Sequence, residues 1–235
     1  MATNTKAYRG LGMEGPIATW YAKNTGRDRT RFVKVAEDVT ARAASGSRVL
    51  ELAPGPGFCA IELARSGRFA VTGLDISESF VRIAREQAEA AGVLVDFRHG
   101  NASGMPFADG SFDVVICSAA FKNFSDPVGA LNEIHRVLAP GGSASIYDLR
   151  KEATSAEIAA EVQAMRLSAF NAWLTRWTFR TVLLKRAYTR ADLQKMVAAS
   201  AFRTGEIETD GVGFALRLTK PGRTRATGTS SHTAA

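Results

Sequence analysis

Residues 47–57 read SRVLELAPGPG, a β-rich apolar run that ends on an acid and then a glycine–proline turn, which opens into a second apolar stretch, FCAIELA. A strand running through a tight glycine turn into a helix is where α/β proteins grip a nucleotide-like ligand. The turn has the spacing Gly55-x-Gly57-x-x-Ala60, and Asp75 closes the next strand-like run, VTGLD. A dinucleotide fingerprint shares that pattern. Pro54 and Pro56 separate the two readings, because proline has no backbone N–H and each removes one donor from the loop. A pyrophosphate needs a ring of such donors, whereas an amino-acid carboxylate or a sulfonium does not.

Around this turn the pattern alternates. Strand-like runs at 47–52, 69–74, 93–98, 112–117 and 143–148 are separated by helical patterns at 58–66, 78–91 and 127–138, the last stopped by Ala139-Pro140-Gly141-Gly142. Such alternation predicts an α/β fold, a doubly wound and mostly parallel sheet with helices on both faces. Residues 15–44 read as a helical cap, divided at Gly26, whose Phe32, Val33, Ala36 and Val39 share a face. After the fifth strand, 154–200 reads as helix. Two short runs, 204–209 and 212–219, then flank Asp210-Gly211, a hairpin signal. The expected organisation is a cap over 1–46, a core over 47–220 with a helical insertion at 150–187, and a polar tail, 221–235, expected to be disordered.

At 235 residues the chain suits one α/β domain with appendages. No apolar run approaches the ~20 residues of a membrane span. MATNTKAYRGLGMEG lacks the apolar core of a signal peptide, and Cys59 and Cys117 sit in apolar contexts that suit buried free thiols. A cytoplasmic location is expected. The net charge of +7 is uneven: residues 47–149 hold 8 basic and 12 acidic residues, whereas 1–46 hold 8 and 4, and 150–190 hold 8 and 3. The basic flanks are read either as solvated faces or as attraction for an anionic acceptor.

The chain resembles the class I S-adenosylmethionine-dependent methyltransferases, in their small-molecule subgroup of ubiquinone and menaquinone biosynthesis type, over roughly residues 15–219. Motif I is carried by Glu51 and the loop, with Ala53 in place of the first glycine; LDISESFVRIAREQAEAAG is similar to the second-strand motif, and FRHGNASGMPFADGSFDVVICSAAFKNFSDPVGALNEIHRVLAPGG to the later ones. The resemblance implies a seven-stranded, Rossmann-like methyltransferase fold ending in an antiparallel hairpin. It also implies S-adenosylmethionine as cofactor, S-adenosylhomocysteine as product and a small-molecule acceptor. On this likeness Ala53, Pro54, Gly55 and Gly57 approach the methionyl part, Glu51 receives the ammonium and Asp75 takes the ribose hydroxyls. Ile76 and Phe80 flank the purine, Asn101 and Ala102 read its edge, Ser118 and Ala119 lie under the methyl, and Tyr21 closes over the cofactor.

The acceptor side carries fewer signals. Lys122, Asn123, Tyr147 and Asp148 at strand ends are the residues placed to orient an acceptor. Where many relatives have histidines after the fourth strand, this chain has Phe121-Lys122-Asn123-Phe124. His99 lies near the site, His135 in a helix and His232 in the tail, so no general base is evident. Methyl transfer from a sulfonium is an in-line displacement with a neutral leaving group, and alignment alone can supply ~7–11 kcal/mol. Arg166, Trp173, Trp177 and Arg180 recur at near-helical spacing and are read as a lid face or as core. Two alternatives stay open: a nucleic-acid or peptide methyltransferase drawn by the basic flanks, and a cofactor binder without catalysis. The Asn/Asp-Pro-Pro-aromatic motif of adenine-N6 modification is absent, and nucleic acid is the less favoured partner.

Overall fold

The computed structural model describes residues 8–9, 12–26, 29–165, 169–178, 181 and 183–222. Arg166, Arg180, His232 and the tail from 223 lie outside them. The described strands are β1 (Arg48–Leu52), β2 (Ala70–Asp75), β3 (Asp96–His99), β4 (Phe112–Ser118), β5 (Leu138–Leu149), β6 (Glu206–Asp210) and β7 (Gly213–Thr219). They form one sheet in the order β3-β2-β1-β4-β5-β7-β6, parallel except where β7 pairs antiparallel with β5 and β6. The strand order reverses between β1 and β4, the place where open α/β sheets bind ligands beyond their carboxyl ends.

Period-2 alternation divides the core into two layers. Val49, Val71, Val114 and Ile116 pack under α2 (Thr30–Arg42), α3 (Phe58–Arg65) and α4 (Glu78–Ala90). Leu50, Leu52, Val115, Cys117, Ala144 and Ile146 pack on the other side against α5 (Pro127–Val137) and α9 (Arg190–Ala199). Phe32, Ala36 and Val39 of α2 are buried as their spacing predicts, and both cysteines are buried and free. α1 (Gly15–Thr25) lays Ala18 and Ala22 on Phe80 and Ile83 of α4.

Several boundaries differ from the sequence expectation. β3 begins at Asp96 rather than 93, since Gly92 turns at φ +66° and residues 93–95 carry no strand pairing. β5 begins at Leu138, because Leu138 pairs with Phe112 before a register shift carries Ser143 onto Val114, absorbing the Ala139–Gly142 segment into the strand. The helical stretch after β5 is not continuous: it divides into α6 (Ser155–Ala164), α7 (Ala169–Thr178), the short turn α8 (Leu184–Arg186) and α9. The starts of α6 and α9 are fixed by capping boxes, Thr154 with Glu157 and Thr189 with Asp192.

Candidate active site

The carboxyl ends of β1, β2, β4 and β5 open into a cavity of about 1100 Å³. That is slightly above the ~300–1,000 Å³ usual for a small-molecule site. Glu51 and Asp75 stand on its floor, 2% and 5% exposed. Burial pushes the Glu51 carboxyl from the ordinary 4.5 up to about 8, partly opposed by the Ala60 amide and the Cys59 thiol. Its Oε2 is buried without a hydrogen-bond partner. Buried polar atoms are nearly always paired, so such an oxygen marks a place for a donor. Asp75 is raised to about 6 by burial, while Ser77 N–H donates to Oδ1 and Gly55 N–H to Oδ2, each at 2.9 Å.

The donors of the loop can be counted. Ala53 N–H donates to Leu74 O at 2.8 Å, Gly55 N–H to Asp75 and Gly57 N–H to Pro54 O at 3.0 Å, and Pro54 and Pro56 have none. No backbone donor of residues 53–57 is left to cradle a pyrophosphate. A dinucleotide reading fails here, and a zwitterionic amino-acid moiety facing Glu51 fits. Ala53 sits at φ +51°, a left-handed conformation that glycine adopts without the steric cost of a Cβ.

Ala53, Pro54, Gly55, Ile76, Phe80, Asn101, Ala102, Ser118, Ala119 and Tyr21 all line the same cavity as Glu51 and Asp75. Gly57 is not among its lining residues: a Cβ there would lie 2.7 Å from the Phe97 ring and 2.9 Å from Ala84 Cβ. Its role is close packing of α3 against β3 and α4. Phe80 is buried and meets Tyr21 edge-on at 5.7 Å. The Asn101 side-chain carbonyl already accepts Ser103 N–H at 3.0 Å. His99 bonds the Ile76 carbonyl, and His135 stacks edge-on to Phe202; neither lines the cavity.

At the acceptor end Lys122 and Asp148 form a buried ion pair. Lys122 Nζ donates to Asp148 Oδ1 at 2.6 Å and to Ala119 O at 2.7 Å, so two of its three N–H bonds are taken. Asp148 Oδ2 accepts the Lys122 backbone N–H at 2.9 Å. Tyr147 lines the cavity, but its hydroxyl donates to Asp38 Oδ2 of α2 and accepts from Arg217 of β7 at 2.7 Å. Burial and that carboxylate push the phenol up to about 12. Its role is to tie the cap to the sheet; the expected acceptor contact is corrected to that extent. Asn123 lines the cavity while its backbone carbonyl receives Arg9 N–H at 2.7 Å.

Sequence reasoning missed Tyr8, Asp38, Phe124, Arg186 and Arg217, which all line the cavity. Tyr8 arrives through an isolated antiparallel bridge to Phe124, and Arg186 Nη1 fastens this segment by donating to Arg9 O at 3.0 Å. Trp173 and Trp177 are absent from the cavity wall and from the core: both are exposed.

A family model described as a methyltransferase domain matches residues 50–146. The match takes in β1 with Glu51, the proline-interrupted loop, Asp75, Asn101 and Lys122. The chain is 45% identical over 96 residues to a demethylmenaquinone methyltransferase of Thermus thermophilus, covering 40% of this chain and 44% of that protein. It is 38% identical over 107 residues to a ubiquinone/menaquinone biosynthesis C-methyltransferase of Roseobacter denitrificans, covering 44% and 43%. The chain thus spans under half the length of these curated relatives. The chain also shares its fold with solved structures. A candidate S-adenosylmethionine-dependent methyltransferase of Methanococcus maripaludis matches with TM-score 0.73 at 19% identity, covering 96% of this chain and 99% of that one. An S-adenosylmethionine-dependent methyltransferase of Aquifex aeolicus matches with TM-score 0.62 at 19% identity, covering 82% and 98%.

Proposed function

We propose that the protein transfers a methyl group from S-adenosylmethionine to a small, largely apolar acceptor with an oxygen-bearing ring. One observation carries the cofactor half: Glu51, whose Oε2 is buried and unpartnered, lines the same cavity as Asp75, beside a loop whose backbone donors are all taken. Glu51 holds the cofactor's ammonium and Asp75 its ribose hydroxyls; Ile76, Phe80, Asn101 and Ala102 flank the base. When bound, the sulfonium supplies an electrophilic methyl group and leaves as a neutral thioether.

The acceptor half rests on further residues of the same cavity. Tyr8, Phe124 and Phe214 line it with aromatic rings, and Lys122 and Arg186 bring cationic groups to it. The remaining N–H of Lys122 holds an acceptor oxygen and favours its ionised form, so that no general base is needed. The relatives' names, demethylmenaquinone methyltransferase and ubiquinone/menaquinone biosynthesis C-methyltransferase, agree with this character. Asp148 fixes the ammonium, and Asn123 lies one residue on at the same wall. Tyr8, Met13 and Tyr21 of the cap and Met165, Leu183 and Arg186 of the insertion add to the cavity wall.

Transfer of a tritiated methyl group from S-adenosylmethionine to 1,4-dihydroxynaphthalene tests the reading. Labelled organic product, lost in Lys122→Met with S-adenosylhomocysteine affinity intact, is expected. Label incorporated into RNA, and none into the ring, would contradict it.

A further inference from the structure

All three tryptophans of the chain are more than half exposed: Trp20 at 67%, Trp173 at 61% and Trp177 at 52%. Tryptophan is among the most heavily buried residues on average, and three together on the surface need a reason. Their positions supply one. Trp20 lies on α1 with the exposed Ile17 one turn earlier; Trp173 and Trp177 lie one turn apart on α7. α1 also contributes Tyr21 to the cavity wall, while the segments on either side of α7 contribute Met165, Leu183 and Arg186. The tryptophans therefore sit on the two helical covers whose neighbouring residues line the cavity.

The positive charge of the molecule collects on the same covers. Residues 1–46 and 150–190 each hold 8 basic residues, against 4 and 3 acidic ones, while residues 47–149 carry a net −4. Lys23, Arg31, Lys34, Arg176, Lys185 and Arg186 are exposed there. Tryptophan rings beside lysine and arginine suit one environment above others: the headgroup layer of a bilayer, where the ring enters the apolar boundary and the cations meet anionic phosphates. No helix among the described residues is long and apolar enough to cross a membrane, so attachment would be to the surface.

We propose that the two covers dock reversibly on an anionic phospholipid surface, with Trp20, Trp173 and Trp177 inserted and the cavity mouth turned towards the lipid. An apolar acceptor dissolved in the bilayer would then reach the cavity without crossing water. This docking goes beyond the catalytic reading and does not depend on it, since vesicles alone reveal it.

The test is co-sedimentation of the full chain with vesicles of phosphatidylcholine alone and of phosphatidylcholine with phosphatidylglycerol at about 2:1. Roughly tenfold more protein is expected on the anionic vesicles, falling at about 0.5 M salt. Trp173→Ala with Trp177→Ala should lower the bound fraction severalfold at unchanged melting temperature. Quenching of the wild-type tryptophan fluorescence by brominated lipid reads insertion without any variant. Failure to bind anionic vesicles, equal binding to both vesicle types, or binding without quenching would each overturn the proposal. So would retention on single-stranded RNA in place of vesicles, or a dimer in gel filtration whose tryptophans become shielded.

Discussion

Glu51 and Asp75 hold protons that the unfolded chain would release, because burial raises Glu51 to about 8 and Asp75 to about 6. A raised carboxyl pKa favours the folded state below the unfolded value, and that contribution is lost as pH rises through the folded one. The free protein should therefore melt at falling temperature from pH 5 to pH 8, and Glu51→Gln should flatten the portion above pH 6, as read by calorimetry. Cofactor binding has the opposite sign: the ammonium requires an ionised Glu51, so affinity for S-adenosylmethionine should rise between pH 6 and 8, by at most about tenfold per unit. Ala53 gives a second residue-scale expectation. Its left-handed backbone costs roughly 1–2 kcal/mol and a glycine loses ~0.5–1 kcal/mol in the unfolded chain, so Ala53→Gly should leave stability level or raise it by up to about 1 kcal/mol in urea unfolding. Glu51, Asp75 and the prolines were legible in sequence because strand, turn and helix are consecutive there. Gly57 was not: the groups that require its missing side chain, Phe97 and Ala84, come from β3 and α4.

Single elements are joined at the site by contacts that no local pattern announces. Asp38 of α2 is drawn below the usual carboxylate range, against its burial, by hydrogen bonds from Tyr147, Arg42 and Arg217. Those partners come from β5, α2 and β7, and Arg217 also bonds Ser145. Tyr147→Phe should lower stability by ~1–3 kcal/mol in chemical unfolding while leaving affinity for S-adenosylhomocysteine within about twofold, since the hydroxyl serves the cap. The Lys122–Asp148 pair predicts a larger loss. Asp148→Ala leaves a buried ammonium without its counter-charge, a change worth ~3–5 kcal/mol, and unfolding midpoints should fall accordingly. Neither tie could be read from spacing, for Asp38 and Tyr147 are 109 residues apart. The capping boxes at Thr154 and Thr189 were visible in the sequence as Thr-x-x-Glu and Thr-x-x-Asp, and would have divided the helical stretch after β5.

On the scale of the whole molecule, the alternation of strands and helices was legible because a parallel sheet admits few topologies, and the terminal Asp210-Gly211 hairpin lies where its turn signal placed it. The covers were legible as helices but not in their orientation: the tryptophans that spacing offered as lid or core face outward, and Tyr8 enters the cavity from a segment with no periodicity at all. In the proposed arrangement the sheet supplies carboxylates to the cofactor and the covers supply walls to the acceptor, and it stands or falls on the ligand the loop accepts. Titration calorimetry of the full chain with S-adenosylmethionine and with NAD at pH 7.5 measures this most directly. The expected result is micromolar-range binding of S-adenosylmethionine, weakened by ~1.5–3 kcal/mol in Asp75→Ala, and no heat with NAD. Clear binding of NAD without binding of S-adenosylmethionine would contradict it.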